Sequence, residues 1–100
     1  GLSYEALERL REVLDVPLAQ LGVWIRVPTR TLARRKEVGR LESDESDRLF
    51  RLARVVGLTL QLFQGDLEAT REWLTEPQVT LAGQTPLEVL IGRLEHGIPL

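Results

Sequence analysis

Arg26, Arg30, Arg34, Arg35 and Lys36 fall within eleven residues that contain no acid, the sharpest local field in the sequence. Arginine matches guanine O6 and N7 in shape and, like lysine, reaches phosphate oxygens, so a basic helix of this kind suits the major groove of duplex DNA. The competing reading is a solvated helix face. Other reactive groups are few. Cysteine is absent, which excludes a thiol nucleophile, a thiolate zinc site and a disulfide framework. His96 is the single histidine and has no carboxylate cluster beside it, so no metal site is expected; near a helix C-terminus it complements the dipole. Ser3, Ser43 and Ser46 stand in capping contexts. No paired carboxylates or nucleophile–base set can be assembled, so no catalytic residue and no cofactor is assigned. A chain of 100 residues also has little room for a deep catalytic cavity. It reads as a binding protein and not as an enzyme.

Short helices must position the cations. Leu7, Leu10 and Leu14 share one face, so residues 4 to 14 read as an amphipathic helix with Ser3 as its N-cap. Leu18, Leu21 and Ile25 mark a second helix, on which Gly22 would let another backbone approach and beside whose stripe stands Trp24. Pro28 breaks the pattern, and a third helix should run from an N-cap at Thr29 to about Val38, with Gly39 as its stop. Two short helices joined by a tight turn, the second basic, make a helix-turn-helix arrangement. Arg30 and Arg34 are one turn apart and share a face of the second helix, and Arg35 and Lys36 flank it. Arg26 stands at the turn where a glycine would be easier.

Ser43, Asp44 and Glu45 form a start signal, after which Leu49, Leu52, Ala53, Val56, Leu60 and Phe63 predict the longest helix. Gly57 in its middle suggests a hinge or a close approach. Gly65 and Asp66 end that helix and cap the next, Leu67 to Leu74, which Pro77 limits. Thr85, Pro86 and Glu88 then stand in capping-box register, opening a last helix that reaches about His96.

Composition agrees with an all-α fold: leucine contributes 20 residues against 12 for valine and isoleucine together. Charge divides unevenly. Residues 1–56 carry a net +2 and residues 57–100 a net −4, so two functional parts are expected with these bounds. No stretch is apolar enough to span a bilayer and no export signal opens the sequence, which predicts a cytoplasmic protein without a membrane partner. The opening Gly1, in place of methionine, leaves room for an upstream segment. In the acidic part Trp73 is either a core anchor or a protein-binding hot spot.

Trp73, Leu74, Pro77, Leu81, Gly83, Thr85, Pro86 and Leu87 follow the pattern of a Trp-Leu, a proline-containing loop, a Leu-x-Gly and a Thr-Pro-Leu. This closely resembles the C-terminal toxin-binding domain of the Xre/MbcA/ParS antitoxins, and "RTLARRKEVGRLESDESDRLFRLARVV" is similar to their Xre-like helix-turn-helix part. The resemblance covers most of the chain. It implies an N-terminal Xre-like helix-turn-helix bundle joined by a long helix to a small helical toxin-binding domain. It also implies a type II antitoxin of a bacterial cytoplasm, whose partners are a RES-domain toxin acting on NAD or transferring ADP-ribose, operator double-stranded DNA, and a second copy in a homodimer. The DNA-contacting set it implies is Thr29, Arg30, Thr31, Arg34 and Arg35, with Lys36 beside them, and the carried-over toxin-binding residues are Trp73, Leu74, Leu81, Gly83, Pro86, Leu87, Arg93, His96, Gly97, Ile98, Pro99 and Leu100. Family members usually insert a further segment between the Thr-Pro-Leu helix and the final Gly-Arg stretch. Here "EVL" runs straight into "IGRLEHG", so a single helix from Pro86 to His96 follows if that segment is absent. The alternative function is a stand-alone helix-turn-helix repressor with a C-terminal dimerisation module.

Overall fold

A computed structural model describes residues 1–97. Among these residues the fold is all-helical: α1 Tyr4–Leu14, α2 Leu18–Ile25, α3 Thr29–Val38, α4 Ser43–Leu62, α5 Leu67–Thr75 and α6 Pro86–Glu95, with a 3-10 turn at Val79–Leu81. Two compact units, Gly1–Leu52 and Ala53–Leu100, meet at a border within α4. That border lies four residues before the 56/57 division expected from charge.

In the first unit the leucine stripe of α1 is buried through Leu7, Leu10 and Leu14, with Leu21 and Ile25 from α2, Leu32 from α3 and Leu49 and Leu52 from α4. Burying each such side chain contributes about 1.5–3 kcal/mol, and that apolar face, more than propensity, keeps helices this short folded. Two backbone hydrogen bonds, Tyr4 N–H to the Gly39 carbonyl at 3.0 Å and Leu41 N–H to the Leu2 carbonyl at 2.9 Å, pin the chain start beside the α3–α4 connection. Ser3 makes no side-chain cap, contrary to expectation; it belongs to this ladder through a bridge with Arg40. The Ser46 hydroxyl accepts from Leu2 N–H at 2.7 Å, which gives that serine a tertiary partner in place of a local capping role.

Gly22 sets the spacing of α2 and the turn. A methyl group there would lie 2.8 Å from the Val27 carbonyl oxygen and 3.1 Å from Leu32 Cδ1. The close approach lets Val27 N–H reach the Gly22 carbonyl at 2.9 Å. Arg26 takes the left-handed conformation at the C-cap, φ 57°, which costs a non-glycine residue about 1 kcal/mol. Pro28 is the N-cap of α3, so Thr29 is its first helical residue and not the cap. Proline's fixed extended geometry starts the helix without a side-chain acceptor.

The start of α4 is held by charge. Glu45, buried, accepts from Arg35 Nε at 2.7 Å and Arg35 Nη2 at 3.0 Å, and from Glu42 N–H at 2.9 Å. Arg48 Nε donates to the Ile25 carbonyl at 2.6 Å, closing the C-terminal end of α2. Ser43, expected as a cap, is the first residue of the helix. Gly57 is exposed in unbroken helix and a methyl there would meet nothing within 4 Å, so close packing is not its reason.

In the second unit Val55, Val56, Leu74 and Leu87 are buried. Thr59 and Thr70, also buried, donate their hydroxyl protons at 2.8 Å to the carbonyls of Val55 and Asp66, four residues earlier, so neither is left unsatisfied. Asp66 caps α5 through Ala69 N–H at 3.0 Å. Thr85 and Glu88 complete the expected capping box at 3.1 and 2.8 Å. α6 is a single helix, as the direct run of "EVL" into "IGRLEHG" implies.

Opposite outcomes follow for one type of substitution. Gly22→Ala should destabilise the protein by about 1–3 kcal/mol through overpacking, whereas Gly57→Ala should stabilise it by about 1 kcal/mol through helix propensity, both read by thermal unfolding. Acid should also act through Glu45. The Arg35 guanidinium holds its carboxyl below the ordinary value of 4.5 despite burial. Its contribution is therefore complete above that ordinary value and is lost as pH falls through the depressed folded value. Unfolding midpoints of the parent protein should drop over that acid range, and Glu45→Gln should flatten the drop.

Candidate functional site

The first unit presents its cations from α3. The exposed first turn carries Thr29 and Arg30, with Thr31 half-buried behind them. Arg30 and Arg34 are one turn apart and therefore about 40° apart around the axis, on the side opposite the buried Leu32. Arg34 is exposed, with Nη2 3.4 Å from Thr31 Oγ1, and Lys36 is also exposed. The helix N-terminus adds its own partial positive charge to this surface, which favours phosphate oxygens.

Arg35 is different from its neighbours. Both Glu45 oxygens engage its fork, Glu42 Oε1 lies 3.5 Å from its Nη2, and its side chain is only 18% exposed. The expected set is thereby divided: Thr29, Arg30, Arg34 and Lys36 face solvent, while Arg35 is occupied inside the unit. Adjacent arginines look alike in sequence. The signal that could have separated them was Glu45 at the third position of α4, an acid that a helix start favours for its own sake and that also reaches back to α3.

The second unit offers apolar surface. Trp73, near the end of α5, is 43% exposed and packs at a tilt against Phe63, ring centroids 6.2 Å apart. With Val55, Leu58, Thr59, Leu62 and Leu90 it lines a shallow recess of about 270 Å³. Leu62 is 80% exposed. Val79 is 97% exposed at the tip of a loop closed by Gln78 N–H to the Gln84 carbonyl at 3.0 Å and Gly83 N–H to the Gln78 carbonyl at 2.9 Å. Ala82 and Gly83 both take positive φ, 56° and 81°, which explains the short Leu-x-Gly stretch as the turn that closes this loop.

Several expected contact positions stand elsewhere. Leu74, Pro86 and Leu87 are buried and pack within the unit. Leu81 is half-buried and Gly83 exposed. Arg93, His96 and Gly97 are exposed at the end of α6, with Gly97 at φ 72° ending the helix. Ile98, Pro99 and Leu100 lie outside the described residues. Sequence reasoning missed Leu58, Leu62 and Val79. Leu58 and Leu62 look like part of a continuous apolar helix, and a valine in a loop carries no signal of its exposure. Among the described residues no group of His, Asp and Glu could hold a metal, and no helix is long and apolar enough to cross a membrane.

Comparison with known proteins matches each part of the chain to a domain of one family. Residues 1–54 match the antitoxin Xre-like helix-turn-helix domain, and residues 59–97 match the antitoxin Xre/MbcA/ParS C-terminal toxin-binding domain. A protein of Yersinia enterocolitica named Antitoxin Xre is 32% identical over 111 aligned residues, covering 98% of this chain and 75% of that protein. Proteins of the same name from Photorhabdus laumondii and Pseudomonas putida are each 38% identical, over 60% and 64% of this chain and 49% and 40% of their own lengths. The chain therefore spans about half or less of those two relatives. With both domain matches in this order and a relative of that name covered over most of its length, the chain belongs to the Xre antitoxin family, a regulatory and non-enzymatic one.

Proposed function

We propose that the chain neutralises a RES-domain toxin, an enzyme that consumes NAD or transfers ADP-ribose, and represses its own operon, acting in a bacterial cytoplasm. The observation that carries this reading is the pairing, on one chain, of an exposed cationic helix in the first unit with an exposed tryptophan and apolar recess in the second. Neutralisation is steric. A stable complex needs roughly 800 Å² of contact per partner. Trp73, Leu58, Leu62 and Val79 supply apolar anchors for such a contact, and Arg93, His96 and Gly97 lead the chain towards the toxin's nucleotide entrance. Trp73 already packs against Phe63, so it is partly ordered before binding and loses less freedom on docking.

On DNA, Thr29, Arg30, Thr31, Arg34 and Lys36 form the contacting set, and a homodimer doubles their number. Doubling matters because affinity scales with the phosphates neutralised, and α3 of one copy exposes only Arg30, Arg34 and Lys36 as cations. A repressor whose second unit only dimerises would expose apolar surface too. Co-expression with the neighbouring gene separates the two: a co-purifying enzyme supports the antitoxin, and a homodimer alone supports the repressor.

Trp73→Ala should weaken toxin binding by about 30-fold, the loss of a hot spot worth about 2 kcal/mol, and leave promoter binding unchanged; parental toxin inhibition would refute the role of the recess. Arg34→Ala should leave toxin inhibition intact while lowering promoter affinity and reducing the log–log salt slope by about 0.9. An unchanged slope in anisotropy titrations would make that arginine a solvated face.

A further inference from the structure

Glu45 is a carboxylate at 6% exposure in the unit that is proposed to read DNA. An apolar pair of similar volume would bury there without the desolvation penalty that a charged pair suffers. What a charged pair supplies in addition is direction. Arg35 Nε and Nη2 meet the two carboxylate oxygens at 2.7 and 3.0 Å, a two-point contact that constrains orientation as well as distance. The carboxylate is itself anchored, because Oε1 also accepts Glu42 N–H at 2.9 Å. A second tie from the same helix, Arg48 to the Ile25 carbonyl at 2.6 Å, holds the end of α2, and Asp44 steadies Arg48 at 3.4 Å. The first turns of α4 thus grip both helices of the reading motif.

Rotation decides what a reading helix reads. Arg35 projects about 100° around α3 from Arg34, so a turn of that size would exchange it for Arg30 and Arg34 at the outer face. We propose that Glu45 is a positioning residue for DNA reading: by gripping the Arg35 fork it fixes the rotation of α3 so that Arg30 and Arg34, and not Arg35, face the groove. This assignment rests on the DNA-binding reading above.

The test uses the chain Gly1–Leu100 and a duplex carrying the promoter of its own operon. In proton–nitrogen spectra an Arg Nε–H signal should be protected from exchange, vanish in Arg35→Lys and lose protection in Glu45→Gln. Both variants should bind the duplex about tenfold more weakly and lose about the 0.9 of salt slope that Arg34→Ala loses, because Arg34 is then turned from its phosphate. The double substitution Arg35→Met with Glu45→Met keeps apolar volume; it should melt at or above the parental temperature and still bind weakly, an outcome that a merely stabilising pair would not produce. Parental affinity in Glu45→Gln or in the double variant overturns the proposal. So does Arg35→Lys with parental affinity combined with a reduced slope in Arg35→Ala, which would make Arg35 a phosphate contact. A parent protein that leaves the duplex unbound overturns the DNA reading itself, and its protected Arg35 signal distinguishes that failure from loss of the ion pair.

Discussion

A buried carboxylate has to be matched by donors, and in the first unit this requirement falls on Glu45. Its two oxygens receive the Arg35 fork and the Glu42 amide, so the start of α4, the connection before it and the C-terminal half of α3 are tied at one point. Leucines pack these helices together, but leucine contacts are non-directional and tolerate rotation. The ion pair, the Arg48 bond to Ile25 and the close approach at Gly22 are directional, and they give α2, the turn and α3 a single arrangement. The free cations of α3 are those that this arrangement leaves outside.

The second unit solves a different problem. With few residues it buries Leu74 and Leu87 fully but leaves Trp73, Leu62 and Val79 in contact with solvent. Local devices maintain this surface: Asp66 caps α5, the Thr85–Glu88 capping box opens α6, and two backbone hydrogen bonds close the loop that carries Val79. A loop and helices ordered in this way can offer apolar side chains to a partner at little further cost in conformational freedom. The family assignment and the surface chemistry agree: one unit is matched to an Xre-like helix-turn-helix, the other to a toxin-binding domain.

Helix existence, type and most boundaries were legible in the sequence because they depend on neighbours within a few residues. Leucine spacing, Gly39, Asp66 and the Thr85-Pro86-Glu88 signal specify α1, the end of α3, and the starts of α5 and α6 from local rules. Local rules also misplaced some caps. Ser3 and Ser46 found partners about forty residues away, and Pro28 displaced Thr29 as the cap of α3.

The sequence by itself determined the helical class, the order of a basic part before an acidic one, and the motif pattern that marks the family, since each is written in types and spacings along the chain. Only the tertiary structure decided that Arg35 turns inward while Arg34 stays out, that Leu74, Pro86 and Leu87 are buried while Trp73 and Val79 keep exposed surface, and that Gly22 is required to be small whereas Gly57 is not. The physical reason is common to all three. Burial, pairing and close approach depend on what a distant segment places beside a residue, and spacing along the chain carries no record of that neighbour.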